Sequence, residues 1–381
     1  MDNIYLDNAA STATDERVLE AMMPFFTKNG NASSIHSFGK PFKVILEDSR
    51  DNIADFLGVK SKEVFFTSGG TESNNTVIKG ICLKNLNGKR KHIISSSIEH
   101  PAVLDTLKYV EEKFGYEITL IKPGADGVVN SEEVLNSIKE NTLLISLMHS
   151  NNETGIINNI EVISKNKGDI LLHSDTVQSI GKVRLNLKNP FLDFASISGH
   201  KFYGPKGIGV LYINENVKTD KFIHGGGQER NIRGGTENIP AIAGLSKAFD
   251  LLRDEMDMDI EHYRNLKNYF SKKIREFYGD KVIFNSKEGS SLDNIINISF
   301  DTEKFDTPGD MLLIKLDLKG IAISGGSACS SGSLKPSRIL LEMGRSERTA
   351  KASLRISFGR KNNIAEVNYL LETLRELVLE K

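Results

Sequence analysis

The stretch EVFFTSGGTESNN, residues 63–75, sets the architecture: an apolar β-rich run, a Gly69-Gly70 turn, then the opening of a helix. Runs of the same kind recur as HIISS (92–96), LLISLMH (143–149), ILLHSD (170–175) and VLYI (210–213), with stretches between them long enough for helices. Alternation of strands with helical patterns implies crossover connections and a largely parallel sheet, hence an α/β sandwich. One helix is legible in detail. Phe42, Ile45, Leu46, Ile53, Phe56 and Leu57 recur at helical spacing, and Gly58 is placed to end it. After VLYI come a glycine-rich loop, HGGGQERNIRGGTEN (224–238), and a long charged helix from Pro240 to about Tyr278. The remainder reads as strands near 294–300, 321–323 and 354–357 with helices near 308–319 and 364–379, a smaller α+β lobe. The division expected is 15–255 for the large domain, and 1–14 with 256–381 for the small one.

A chain of 381 residues suits two lobes and can bury a sizeable ligand. Lys and Arg number 49 against 50 for Asp and Glu, so no global field favours nucleic acid or an anionic membrane. The opening MDNIYLDNAAST has no basic and then apolar stretch, and no membrane-length apolar run occurs, so a cytoplasmic location is expected. The two cysteines, Cys82 and Cys329, lack metal or disulfide spacing, and the eight histidines form no HExxH pattern. No metal site is expected, and each thiol is either packing or chemistry.

Ligands of open α/β sheets bind beyond the carboxyl ends of the strands, so the loops there carry the candidate chemistry. Gly69, Gly70 and Thr71 at a helix N-terminus suit a phosphate, although a Gly-Gly-Thr turn can be only a turn, and no GK[ST] makes it a P-loop. In SISGHKFYGPKGIGVLYI (196–213), Ser198, His200 and Lys201 lie in a glycine-bounded turn between apolar strands. A desolvated lysine there meets the requirement of a Schiff base, and an ordinary hairpin lysine is the alternative. Asp175, ending ILLHSD, could hold a pyridinium nitrogen protonated or could simply cap a helix; Gln178 follows three residues later. Asn152 and Glu153 of LMHSNNETG (147–155) stand at another strand end. His100 precedes Pro101, which puts its imidazole at a helix mouth where it could stack on a flat cofactor and move a proton. Cys329 lies in ISGGSACSSGSLKPS (323–337), polar and almost free of apolar residues, where a thiolate can form, whereas Cys82 in VIKGICLK (77–84) has the setting of a core residue.

Taken in order, LDNAAST, GNASSIHSFG, FTSGGTESNN, EHPAVLD, NNETG, DTVQS, SGHKFYGPKG, RGGTEN, the SACSSGS loop and SLRISFG form a series spanning residues 6–359. That series resembles the NifS/IscS-type cysteine desulfurases of the class V aminotransferase superfamily. The resemblance implies a type I pyridoxal-phosphate fold, its larger domain built on a mostly parallel seven-stranded sheet, and a homodimer. It implies conversion of L-cysteine to L-alanine with sulfur kept as a cysteine persulfide. By motif, Lys201 resembles the lysine that carries pyridoxal 5'-phosphate, Asp175 the partner of its ring nitrogen, Gln178 the group at its phenolic oxygen and His100 the stacking histidine. Gly70, Thr71, Ser198 and His200 match phosphate ligands, and Thr236 of RGGT resembles the threonine that reaches the neighbouring subunit's phosphate. Asn152 and Arg355 look like ligands of the substrate carboxylate, Arg355 with the bidentate geometry suited to it. Cys329 matches the nucleophile. The rival readings are an aminotransferase, a selenocysteine lyase and a non-catalytic sulfur-transfer scaffold; Cys329 in its Gly/Ser loop weighs against the first and only in part against the second, and Lys201, Asp175 and Cys329 together weigh against the third. The expected acceptor is an iron-sulfur scaffold or a thiolation enzyme; the short ending after LRELVLEK, without the longer tail of some IscS-type proteins, leaves its identity open.

Overall fold

The computed structural model describes residues 3–188, 192–306, 309–325 and 335–381. Its main sheet has seven strands, in the spatial order Val64–Thr67, Gly209–Ile213, Phe194–Ser198, Leu171–Asp175, Thr142–Ser146, His92–Ser96 and Glu117–Ile121. Gly209–Ile213 is antiparallel to both its neighbours, and every other pairing is parallel. Six strands therefore point the same way and deliver their following loops to one edge. This is the mostly parallel sheet expected, with the VLYI run as the one reversed strand.

Strands buried on both faces need helices on both faces. Ile94, Ile145, Ala195 and Val210 belong to one core, while their chain neighbours Ile93, Leu144, Phe194 and Leu211 belong to the core across the sheet. The helix read from Phe42 to Leu57 is Lys40–Leu57, stopped by Gly58 in the left-handed region at φ 68°, whose N–H returns to Ala54 and Asp55. The strand Glu117–Ile121 is a further element that the sequence reading passed over, an edge strand with mixed exposure and no clean apolar run.

A single helix, Ile239–Tyr278, runs out of this body. Its residues from Ile239 to Leu252 pack into the core on one face of the sheet, and those from Tyr263 to Tyr278 into a separate core. That second core is built on the antiparallel strands Val282–Phe284, Ile295–Phe300 and Ser353–Ser357, with Ile4 and Leu6 from the N-terminal arm. Ile339, Leu340, Met343 and Ala350 pack instead with the large sheet's core. Among the described residues, no helix is long and apolar enough to cross a membrane.

Candidate active site

Five strand-end loops at the carboxyl edge of the sheet, the N-terminal arm and Arg355 enclose a cleft of about 670 Å³. That size suits a cofactor and a small substrate together. Its lining brings together Gly70, Thr71, His100, Asn152, Asp175, Gln178, Ser198, His200, Lys201 and Arg355. Of the remaining expected site residues, Thr236 lies in a neighbouring cleft that shares Ser68 and Gly207 with this one, and Cys329 falls outside the described residues.

Lys201 ends a short 3-10 turn, Gly199–Lys201, that follows the strand Phe194–Ser198 directly. A side chain at 199 would come within 2.9 Å of Leu245 and 3.1 Å of the Pro205 carbonyl, so the turn needs glycine there. The N-terminal arm laces over the turn: Thr12 donates from both N and Oγ1 to the His200 carbonyl at 2.9 Å. Lys201 Nζ in turn donates to the carbonyls of Ala9 and Ala10 at 2.6 and 2.8 Å. Burial, with the field of Arg355, pulls its pKa down to about 8 against the opposing pull of Asp175 and Asp7. The neutral form needed to attack a carbonyl or take a proton is thus far more populated near physiological pH than for an ordinary lysine, though still the minor form. In the cofactor-free protein, labelling of Lys201 by a small amine-reactive reagent should rise with pH through a midpoint near 8. A midpoint close to the ordinary 10.5 would show that the amine is not desolvated.

Asp175 sits at the end of the central strand Leu171–Asp175 and is 7% exposed. One carboxylate oxygen accepts from the Val177 N–H at 3.0 Å and closes a local turn; among the described residues no helix directly follows Asp175, so it caps none. The other accepts from Asn74 Nδ2 at 2.7 Å. Asn74 Oδ1 is buried without a partner beside it, a polar atom left free to meet a ligand donor. Gln178 Nε2 donates to the Ala9 carbonyl at 3.0 Å.

The phosphate turn is built as a cradle. Gly69 has φ 147°, and a side chain at Gly70 would come within 2.6 Å of Val177, so the backbone there lies bare to the cleft. The fifteen-residue helix Gly70–Lys84 starts at this point, and its first N–H groups have no intrahelical acceptor. Ser198 stands beside the turn, its Oγ 3.5 Å from where a Gly69 side chain would begin. His200 completes that side, its Nδ1 paired with Ser11 Oγ at 3.1 Å, and burial holds its pKa down to about 4. Glu72 on the first turn accepts from Ser68 N and from Arg233 Nε, which ties the glycine-rich loop of residues 224–238 to the cradle.

His100 caps the helix Pro101–Phe114, with Nδ1 accepting from Ala102 N at 3.1 Å. That contact assigns its proton to Nε2. Burial lowers its pKa, Asp175 opposing, so a neutral imidazole presents one N–H at the cleft. Arg355, 8% exposed in the strand Ser353–Ser357, donates from Nη1 to the Asn152 carbonyl at 2.8 Å and from Nη2 to Asp7 Oδ1 at 2.6 Å. Its Nε is buried without a partner. Asp7, Ala9, Ala10 and Asn74 are thus parts of the site that sequence reasoning left without a role. Asn74 had a signal, since four residues from Gly70 puts it on the same face of the helix.

The family description "Aminotransferase class-V" matches residues 4–370. The chain belongs to the class V aminotransferase family. It is 43% identical over 381 residues to a "Cysteine desulfurase IscS" of Dictyoglomus turgidum, covering 99% of this chain and 95% of that protein. Among solved structures, a "NIFS-LIKE PROTEIN" superposes with a TM-score of 0.90 at 35% identity over 98% of both chains. "SspA in complex with cysteine" superposes with a TM-score of 0.82 at 36% identity, over 93% of this chain and 98% of that one. Within the family, these likenesses put the chain among the NifS/IscS-like cysteine desulfurases.

Proposed function

We infer that the cleft holds pyridoxal 5'-phosphate on Lys201 and takes sulfur from L-cysteine onto Cys329, releasing L-alanine. The observation carrying this reading is the meeting of a desolvated lysine, a buried aspartate, a bare glycine cradle and a buried arginine in one cleft of a desulfurase-family chain. The residues fit the cofactor: Gly70, Thr71, Ser198 and His200 for its phosphate, Asp175 for its ring nitrogen, Gln178 for its phenolic oxygen and His100 for its ring face. When bound, the cofactor supplies an electron sink that stabilises negative charge developing at the substrate Cα.

The chain's own groups do the rest. Asn152 and Arg355, both in the cleft lining, hold the substrate carboxylate. Lys201 Nζ, in its neutral form, takes the Cα proton. The Cys329 thiolate attacks the substrate sulfur: the S–S bond forms as the Cβ–S bond breaks, and the electron pair stays on carbon. Proton delivery to that carbon, Cβ, with His100 Nε2–H as a donor, and return of the Cα proton from Lys201 complete alanine, and Cys329 is left as a persulfide. L-Cysteine plus the Cys329 thiol thereby balances L-alanine plus the Cys329 persulfide. Cysteine as substrate has a parallel in the neighbour solved with cysteine. An iron-sulfur scaffold or a thiolation enzyme then takes the sulfur. The test is equimolar alanine and persulfide in a single turnover of the cofactor-loaded protein; alanine without persulfide would mean lyase chemistry.

The active unit in this reading is a homodimer, with Thr236 serving the phosphate of the neighbour. Thr236 lies outside its own chain's cleft, on the far side of the Ser68 turn, which supports a role across subunits. Mixed dimers of Lys201→Ala and Thr236→Ala chains should regain activity, because one complete site is rebuilt. Recovery no better than either parent would count against the cross-subunit role.

A further inference from the structure

Glu153 follows Asn152 in the turn that closes the cleft, yet it is not part of the cleft's lining and meets Ser337, which comes eight positions after Cys329 in the sequence. Its Oε2 accepts a hydrogen bond from Ser337 Oγ. Ser337 is fully buried and is the N-cap of the helix Arg338–Glu342, its Oγ also accepting from Leu340 N at 3.2 Å. The hydroxyl proton is thus committed to Glu153 while the lone pair is committed to the cap.

The same short helix is fastened twice more to the turn that carries His100. Arg338 Nη2 donates to the Glu99 carbonyl at 2.7 Å, and Ser97 Oγ donates to Glu342 Oε2 at 2.9 Å. On the other side of the cysteine segment, Ser324 and Arg355 exchange backbone hydrogen bonds at 3.3 and 2.7 Å, and Gly325 lies against Leu313. The chain on either side of Cys329 is therefore tied to the turns and the strand that carry Asn152, His100 and Arg355. Of these ties, only the Ser337 hydrogen bond is made by a side chain that the proposed chemistry leaves idle in the substrate-carboxylate turn itself.

We propose that Glu153 is a positioning residue for sulfur transfer: by holding Ser337, it fixes the C-terminal anchor of the Cys329 segment against the turn that binds the substrate carboxylate. The inference rests on Cys329 being the sulfur nucleophile. The turn does not depend on the Glu153 side chain for its shape. Asn151 Oδ1 accepts from Glu153 N at 2.8 Å and Thr154 N at 3.0 Å, and Asn297 Nδ2 donates to the Glu153 carbonyl at 3.2 Å. Arg355 and Arg338 both favour the Glu153 carboxylate against the burial that raises its pKa. A substrate carboxylate on Arg355 reaches the same field, so the anchor and the substrate site are electrostatically joined.

The test uses the full-length, cofactor-loaded protein. Glu153→Ala removes the acceptor but leaves the Ser337 cap, and should lower kcat for alanine by about tenfold or more with KM for cysteine little changed. Glu153→Gln and Ser337→Thr keep an acceptor and a donor and should restore most of it. Glu153→Asp, which keeps the charge but withdraws the oxygens by one methylene, should behave like alanine, and serves if the alanine variant does not fold. The readout independent of turnover is alkylation of Cys329 by iodoacetamide. Cys82 is buried with its thiol pushed up to about 12, so it stays silent. Alkylation should be faster in Glu153→Ala and Glu153→Asp and return toward wild type in Glu153→Gln. Wild-type kcat in Glu153→Ala, an effect on KM alone, or alkylation unchanged in every variant would overturn the proposal. Failure of the underlying reading looks different: the wild-type protein itself would place no sulfur on Cys329.

Discussion

Replacing Lys201 with alanine should abolish turnover, with a fall of about a thousandfold or more in alanine release, because one group both carries the cofactor and moves the Cα proton. The fold should tolerate the change. The lysine is held by the Ala9 and Ala10 carbonyls, and removing an amine whose charge burial already disfavours leaves no unpaired ion behind. What is lost is the attachment point, so the variant should purify without the visible band of a lysine-bound cofactor that borohydride bleaches. Absorption spectra before and after borohydride, with alanine quantified in parallel, check both halves. A Lys201→Ala protein that keeps a reducible band and turns over would place the attachment elsewhere. Lys182 and Lys267, which burial also pulls down to about 8, are not in the cleft lining: Lys182 sits over the Tyr203 and Tyr263 rings, and Lys267 donates to Ser291 Oγ and the Leu292 carbonyl.

Cys329→Ser should be as inactive for a different reason. Thiolate attack on sulfur depends on the nucleophilicity of sulfur itself, and serine supplies none of it at neutral pH. Every contact described for Lys201, Asp175 and the glycine cradle is independent of residue 329. The variant should therefore bind the cofactor and respond spectroscopically to cysteine as the wild type does, yet form neither persulfide nor catalytic alanine. Cys82→Ser should be nearly silent in activity, since Cys82 is wholly buried in the core on one face of the sheet. Wild-type turnover by Cys329→Ser would favour a lyase or aminotransferase reading.

The sheet and the strand-end loops were legible because each is a local signal. Apolar runs such as HIISS and ILLHSD, stopped by polar turns, mark buried strands, and Gly58 marks a helix end by the backbone angle it alone adopts without strain. The residues at those ends, His100, Asn152, Asp175 and Lys201, followed from the rule that parallel strands open their site at one edge. The clamp around them was not legible. Asp7 meets Arg355 across 348 positions, and Ala9 meets Lys201 across 192, contacts fixed by how the N-terminal arm crosses the lysine turn and by nothing local to either residue. LDNAAST shows no role for Ala9 and Ala10 in the sequence, because carbonyl acceptors carry no side-chain signature. Glu117–Ile121 was missed for another reason: an edge strand half open to solvent lacks the apolar run that betrays its neighbours.

The most direct test of the account is to mix the cofactor-loaded protein with sulfur-labelled L-cysteine for one turnover and map the label by mass spectrometry. The expected result is one persulfide sulfur per chain on the peptide containing Cys329, none on Cys82, and one equivalent of alanine. Label on Cys82, or alanine formed with sulfide released and no sulfur bound to Cys329, would contradict it.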